Sequence, residues 1–204
     1  MSAVRVLRCG PTAVLLELED GAAAAGLHQW LQLQRLPGLR ALVPAARTVL
    51  VDGDRATVAA VRAALESFDP AATRQQTPPA AAVEIPVVYD GEDLSFVADT
   101  CGMSVEQVVG RHAAVTYTAA FCGFAPGFAY LVGGDPALRV PRRDDPRPRV
   151  PAGTLAVAGE YTAVYPSASP GGWRLIGRAL VDVWSIDRDP PALIEPGASV
   201  RFRP

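Results

Sequence analysis

The chain has 204 residues, half of them apolar and 20% charged, enough for one large core or two modest ones, and two modest cores are the better expectation. A formal net charge of −2 excludes the broad basic field that non-specific nucleic-acid binding needs, so no nucleic-acid partner is expected. All 19 basic residues are Arg, and with no Lys at all neither a Walker-type phosphate loop nor Schiff-base catalysis can operate from this chain alone.

The first segment, VRVLRCG at 4 through 10 and TAVLLELED at 12 through 20, alternates in strand fashion around Gly10 and Pro11 and predicts a hairpin. AAAAGLHQWLQLQRL at 22 through 36 places Leu27, Trp30, Leu31 and Gln34 on one helical face, closed by Pro37 and Gly38. LRALVPA and RTVLVDG read as two short strands. Asp54 then caps ATVAAVRAALESF, whose Val58, Val61, Ala64 and Leu65 form an apolar face. The order β, β, α, β, β, α predicts a small unit of helices on a sheet. DPAATRQQTPPAAA at 69 through 82 loses all periodicity and reads as an exposed connector, which divides the chain into domains 1–80 and 81–204.

The second half opens with the strand VEIPVVYD, followed by a pair of short helices in which Ser104 and Gln107 form a capping pattern. From Val115 onward, short β runs alternate with Gly and Pro: VTYTAAFC, TLAVAG, YTAVYP, GWRLIGRALVDVWS and SVRFR. That spacing predicts a sandwich or a small barrel.

Charge is segregated here. Residues 83 through 110 hold six carboxylates and no Arg, while 139 through 149 hold Arg139, Arg142, Arg143, Arg147 and Arg149 against two Asp. Either two solvated faces neutralise each other, or the guanidinium groups capture a carboxylate or phosphate. FCGFAPGFAYL at 121 through 131 sets four aromatic residues among Gly and Pro and predicts a turn with exposed rings, serving either as barrel closure or as a binding wall. His28 falls mid-helix and His112 at a helix end, and a lone His is most often structural. Cys9, Cys101 and Cys122 are odd in number and lack C-x-x-C spacing, which fits a reducing cytoplasm rather than a disulfide frame. Cys122 has no acid/base partner placed by sequence, and no His, Cys or Asp cluster has metal spacing, so no metal site is expected. The start MSAVRVLRCG shows no export signal. The longest uncharged stretch, 113 through 134, is broken by Gly and Pro, which argues against a membrane span.

GFAPGFAYL at 123 through 131, PRRDDPRPRVPAGTLAVAG at 141 through 159 and YTAVYPSASPGGWRLIGR at 161 through 178 resemble the B-subunit family of bacterial ATP-dependent 5-oxoprolinase. That family also contains the sporulation kinase inhibitor and was long labelled allophanate hydrolase subunit 1. The resemblance runs the length of the chain and implies an α+β fold: a small N-terminal α/β sandwich domain (ββαββα) followed by a cyclophilin-like β-barrel. It implies that the chain, with A-type and C-type partner subunits, opens the 5-oxoproline lactam to L-glutamate. ATP, with Mg alongside it, would be held together with a partner subunit. Family-pattern positions suggest His112, Tyr117 and Arg142 for catalysis. Substrate or nucleotide binding falls to Phe124, Pro126, Gly127, Phe128, Arg147, Gly153, Thr162, Gly171, Gly172 and Trp173. Arg142 and Arg147 would hold anions, His112 or Tyr117 would move a proton, and Phe124, Phe128 and Trp173 would wall the cleft as exposed loop aromatics. Tyr161 stands where the family has Gln, and Ala163 where it has Gly. Two other readings stay open: a urea or allophanate carboxyltransferase-type component, and a regulatory protein that inhibits a histidine kinase.

Overall fold

Two aspartates start the helices of the N-terminal unit. Asp20 accepts the Ala23 N–H at 2.7 Å and opens α1 (Gly21–Gln32). Asp54 and Thr57 form a reciprocal capping box at α2 (Arg55–Leu65), satisfying backbone N–H groups that the first turn leaves free. Before α1 run β1 (Arg5–Arg8) and β2 (Ala13–Glu17), and between the helices run β3 (Ala41–Pro44) and β4 (Thr48–Asp52), paired antiparallel in the order β1-β2-β4-β3. Alternation turns Val14, Leu16, Val49 and Val51 to one face, where they pack with Leu27, Leu31 and Val61 of the helices. Each such buried aliphatic side chain contributes about 1.5–3 kcal/mol. His28 is also buried, its imidazole pushed down by burial against a backbone bond to Leu42.

The computed structural model describes residues 4–69 and 82–204, and the chain divides into two units, Met1–Pro78 and Pro79–Pro204. Most of the connector expected at 69 through 82 lies outside the described residues.

In the second unit the choice between sandwich and barrel is resolved. Seven strands close on themselves in the order β10-β7-β6-β13-β5-β12-β9: β5 (Val83–Val88), β6 (Tyr117–Cys122), β7 (Ala129–Val132), β9 (Thr154–Ala158), β10 (Tyr161–Val164), β12 (Arg174–Ala179) and β13 (Ser199–Arg203). Every neighbouring pair is antiparallel except β13 with β5. Helices α3 (Leu94–Cys101) and α4 (Val105–Ala114) precede β6, and the Ser104–Gln107 capping box starts α4 as its sequence predicts. A two-stranded ribbon, β8 (Arg147–Val150) with β11 (Ser169–Gly171), stands apart from the barrel sheet.

Alternation assigns the barrel strands to two separate cores. All seven contribute to the first, among them Ile85, Tyr117, Leu131, Leu155, Val164, Ile176 and Phe202, which is therefore the barrel interior, closed by Leu94, Val97 and Val108 of the helices. The opposite face of β9, β10 and β12 carries Ala156, Ala158, Ala163 and Leu175, and packs with Phe128, Val150, Tyr165 and Trp173. Three alanines make a shallow floor on that outer face, which leaves room for large rings above it.

Candidate functional site

Seven aromatic rings stand over the alanine floor. Phe128 is the hub, with ring centroids 5.2 Å from Phe124, 5.0 Å from Tyr130, 5.2 Å from Tyr165 and 5.6 Å from Trp173. Tyr130 reaches on to Phe121 and Tyr161, and Tyr161 stacks towards Trp173 at 6.5 Å. Most contacts are edge-to-face, the arrangement that ring quadrupoles favour. Burial, then the neighbouring Glu160 carboxylate, push the Tyr161 phenol up to about 12. The rings are not the exposed loop aromatics that the sequence predicts: Phe128 is 2% and Trp173 6% exposed, and only Phe124 stands out, at 62%. The segment 121 through 131 is not one turn either, because β6 ends within it and β7 begins within it. Phe124 holds a left-handed backbone with φ of 70°, a conformation rare for any residue but Gly and one that concentrates at functional sites. Pro126 is exposed in the same turn, and Gly127, at φ 80°, lies against Trp184 where a side chain has no room.

The arginine loop meets this wall, but its arginines have different fates. Asp93, nearly buried, accepts from Arg147 Nη2 at 2.8 Å and from the Leu175 N–H at 2.7 Å, while Arg143 and Arg174 stand 3.7 and 3.9 Å away. Arg147 also pairs with Glu92 at 2.7 Å. The expectation of a free clamp at Arg147 is therefore corrected, since its fork is already spent within the fold. Asp93 is the residue that sequence reasoning missed. Its one signal is the segregation of an acidic run from a basic loop; of that run, Glu92 and Asp93 pair with the loop arginines while Glu84 and Asp90 pair with Arg203 and Arg178 elsewhere. Arg142 differs: it is exposed and makes no hydrogen bond or ion pair within the described residues, and its charge acts on the phenols of Tyr130 and Tyr165.

His112 belongs to the barrel interior. Its ring nitrogens lie 2.8 Å from the Tyr89 hydroxyl (Nδ1) and 3.0 Å from Thr162 Oγ1 (Nε2). Thr162 has a single proton, directed to the Ala156 carbonyl at 3.0 Å, so Nε2 donates to Thr162 and Nδ1 accepts from Tyr89. At 1% exposure, burial pushes the imidazole down to about 3, and it stays neutral. Tyr117 donates to the His112 carbonyl at 2.9 Å, and burial holds its phenol well above the ordinary range. Both residues border a narrow recess at the barrel end, edged by Asp135, Arg139, Glu160 and Tyr161.

The structure thus brings Phe124, Phe128, Trp173 and Arg142 together on the outer face and puts His112, Tyr117 and Thr162 inside. The glycines shape the outer face. Gly171 lies directly under the Tyr165 hydroxyl, the Gly172 carbonyl accepts the Arg143 N–H at 2.7 Å, and Gly153, at φ 78°, donates to the Tyr165 carbonyl at 2.8 Å. Among the described residues no group of three His, Cys, Asp or Glu side chains could hold a metal ion, and no helix is long and apolar enough to cross a membrane.

A closed seven-stranded barrel bearing these motifs defines a class: residues 4–194 match the model of the carboxyltransferase domain, subdomain C and D, and the chain belongs to that family. Within it, the B subunit of 5-oxoprolinase from Escherichia coli O157:H7 is 38% identical over 214 residues, covering 100% of this chain and 97% of that protein. The chain is accordingly a relative of the 5-oxoprolinase B subunit, as its motifs imply. The crystal structure of TTHA0988 is similar with a TM-score of 0.79 and 38% identity over 94% of this chain, which spans only 40% of that protein. The urea amidolyase of K. lactis matches with a TM-score of 0.69 over 100% of this chain and 15% of its own, at 19% identity, a likeness of fold alone.

Proposed function

We propose that the chain is the B subunit of an ATP-dependent 5-oxoprolinase, opening the lactam of 5-oxoproline to L-glutamate in complex with A-type and C-type partners in the cytoplasm. The observation that carries this reading is the 38% identity to the E. coli 5-oxoprolinase B subunit across nearly the full length of both proteins. The closed barrel is then the cyclophilin-like domain of that subunit. At the edge of its outer wall of rings the exposed Phe124 offers an apolar face to a small planar ring, and Arg142 offers a charge to its carboxylate.

The described residues do not fit a nucleoside triphosphate. Of the arginines around the wall, Arg143, Arg147 and Arg174 lie against Asp93, which leaves too few free cations for three phosphates. ATP and its Mg are therefore assigned to a surface completed by a partner subunit. The proton-transfer role considered for His112 or Tyr117 passes to a partner as well. A neutral imidazole with both nitrogens engaged inside a barrel has no free site for an incoming proton.

Co-expression with the products of neighbouring reading frames, followed by assay of glutamate release from 5-oxoproline, tests the reading. Release that requires ATP and all three proteins is the expected result. The carboxyltransferase-type reading, favoured by the family match, requires biotin instead, so turnover abolished by avidin would replace the first reading with the second. Specific inhibition of a histidine kinase without any glutamate release would establish the regulatory one.

A further inference from the structure

The position of Arg142 is fixed from both sides. The Pro141 carbonyl accepts from Arg174 Nε at 3.2 Å, and the Arg143 N–H donates to the Gly172 carbonyl at 2.7 Å. Residues 141 and 143 are thus pinned to residues 174 and 172, and Arg142 is held alongside Trp173, the residue between them. The Trp173 ring is 5.7 Å from that of Tyr130. Arg143 and Arg174 lean on Asp93, so the pins belong to the rigid part of the loop. Among the described residues Arg142 projects without a hydrogen bond or ion pair, as does Arg149 on β8, but only Arg142 is held beside Trp173. Tyr130 is half-buried, and its hydroxyl has no hydrogen-bond partner within the described residues. Phe124, on the far side of Phe128, holds its ring exposed in a backbone conformation that favours glycine.

A cation held in place, an unengaged phenol and a ring left 62% exposed on a left-handed backbone together describe a receptor for an amphipathic anion. We propose that Arg142 and the Tyr130 hydroxyl seat the carboxylate of a small cyclic acid whose ring packs against Phe124. The inference rests on the 5-oxoprolinase reading only for the identity of the acid. It assigns the wall to recognition of the substrate's carboxylate, and the lactam carbonyl then points away from Arg142 towards whatever a partner supplies. Arg147 takes no part, being held by Asp93 and Glu92.

Calorimetric titration of the full chain separates this claim from the reading it rests on. The probes are 5-oxoproline, 2-pyrrolidinone, which has the ring without the carboxylate, and cyclopentanecarboxylate, which has the carboxylate without the lactam. The expected result is binding of both acids, with 2-pyrrolidinone weaker by about tenfold or more, the scale of a hydrogen bond to a charged group. Arg142→Ala removes the preference, and Tyr130→Phe reduces it with the melting temperature unchanged. Binding of cyclopentanecarboxylate but not of 5-oxoproline, lost in Arg142→Ala, upholds the seat and counts against the 5-oxoprolinase reading. Failure of both acids to bind, binding of 5-oxoproline and 2-pyrrolidinone with equal affinity, or unchanged acid binding in Arg142→Ala overturns the seat, whatever the complex turns over.

Discussion

Asp93 and Arg147 face each other at 2.8 Å with 7% and 13% of their side chains exposed, one at the start of α3 and the other at the start of β8. Removing one partner of a buried pair strands the other in a poorly solvated place. Asp93→Ala also orphans the Leu175 N–H. We expect Asp93→Ala to lower unfolding stability by about 3 kcal/mol or more. Arg142→Ala, on an exposed and unpaired side chain, changes it by no more than about 0.5 kcal/mol. Urea unfolding of the two variants checks the contrast, and equal effects would show that Asp93 and Arg142 are not differently employed.

His112 makes stability pH-dependent. Its imidazole titrates at about 3 in the fold against 6.5 in the unfolded chain, so between those values the unfolded state binds more protons. Stability from this source is complete above pH 6.5 and falls as the solution is acidified towards 3, with a slope of up to about 1.4 kcal/mol per pH unit. His28 is lowered in the same direction and adds to the slope. Urea melts between about pH 7 and pH 5.5, above the main carboxylate range, should show the loss, and His112→Gln should flatten the slope relative to wild type. An unaltered slope in that variant would refute the neutral buried imidazole.

Much of the fold was legible because its signals are local. Asp54 and Ser104 announce helix starts by chemistry that acts within four residues, and Leu27 and Leu31 mark the buried face of α1 by their spacing. The strands that leave no such signal, β7, β8 and β11, are three or four residues long and sit among Gly and Pro, where alternation has no length in which to show. GWRLIGRALVDVWS reads as one long run, yet β12 stops at Ala179. The Gly171–Tyr165 and Gly177–Val88 approaches and the pairing of β13 with β5 are contacts across the chain that periodicity does not encode. At the site, the residue types were legible and their allegiance was not. Five arginines in one loop look alike until Asp93, some fifty residues earlier, claims part of the set.

Phe124 and Phe128 are four residues apart and should respond in opposite ways. Phe128→Ala empties a fully packed position and should cost about 3–5 kcal/mol. Phe124→Gly relieves a left-handed backbone worth about 1–2 kcal/mol while giving up two ring contacts of similar total worth, so its stability should stay within about 1 kcal/mol of wild type. Thermal unfolding separates the pair, and a large loss for Phe124→Gly would assign that ring to packing.

Neighbouring glycines give a sharper test of the wall. A methyl at Gly171 would collide with the Tyr165 hydroxyl, whereas at Gly172 it would meet the Arg143 carbonyl at an ordinary 3.6 Å. Gly171→Ala should therefore cost about 1–3 kcal/mol by displacing the Tyr165 ring. Gly172→Ala should cost less than about 1 kcal/mol. Chemical denaturation with near-ultraviolet circular dichroism, which reports ring packing, is the measurement; a loss of ring signal in Gly172→Ala alone would reverse the assignment.

Tyr161 and Thr162 are consecutive on β10, yet one joins the outer rings and the other receives His112 inside the barrel. A slide of this strand by a single residue would exchange them, bringing a phenol against the imidazole and a hydroxyl among the rings. The outer wall of rings and the lock on the interior histidine are therefore not independent modules. Evolution cannot re-aim one without re-registering the other, which confines adaptation of the wall to changes of side chain at fixed positions.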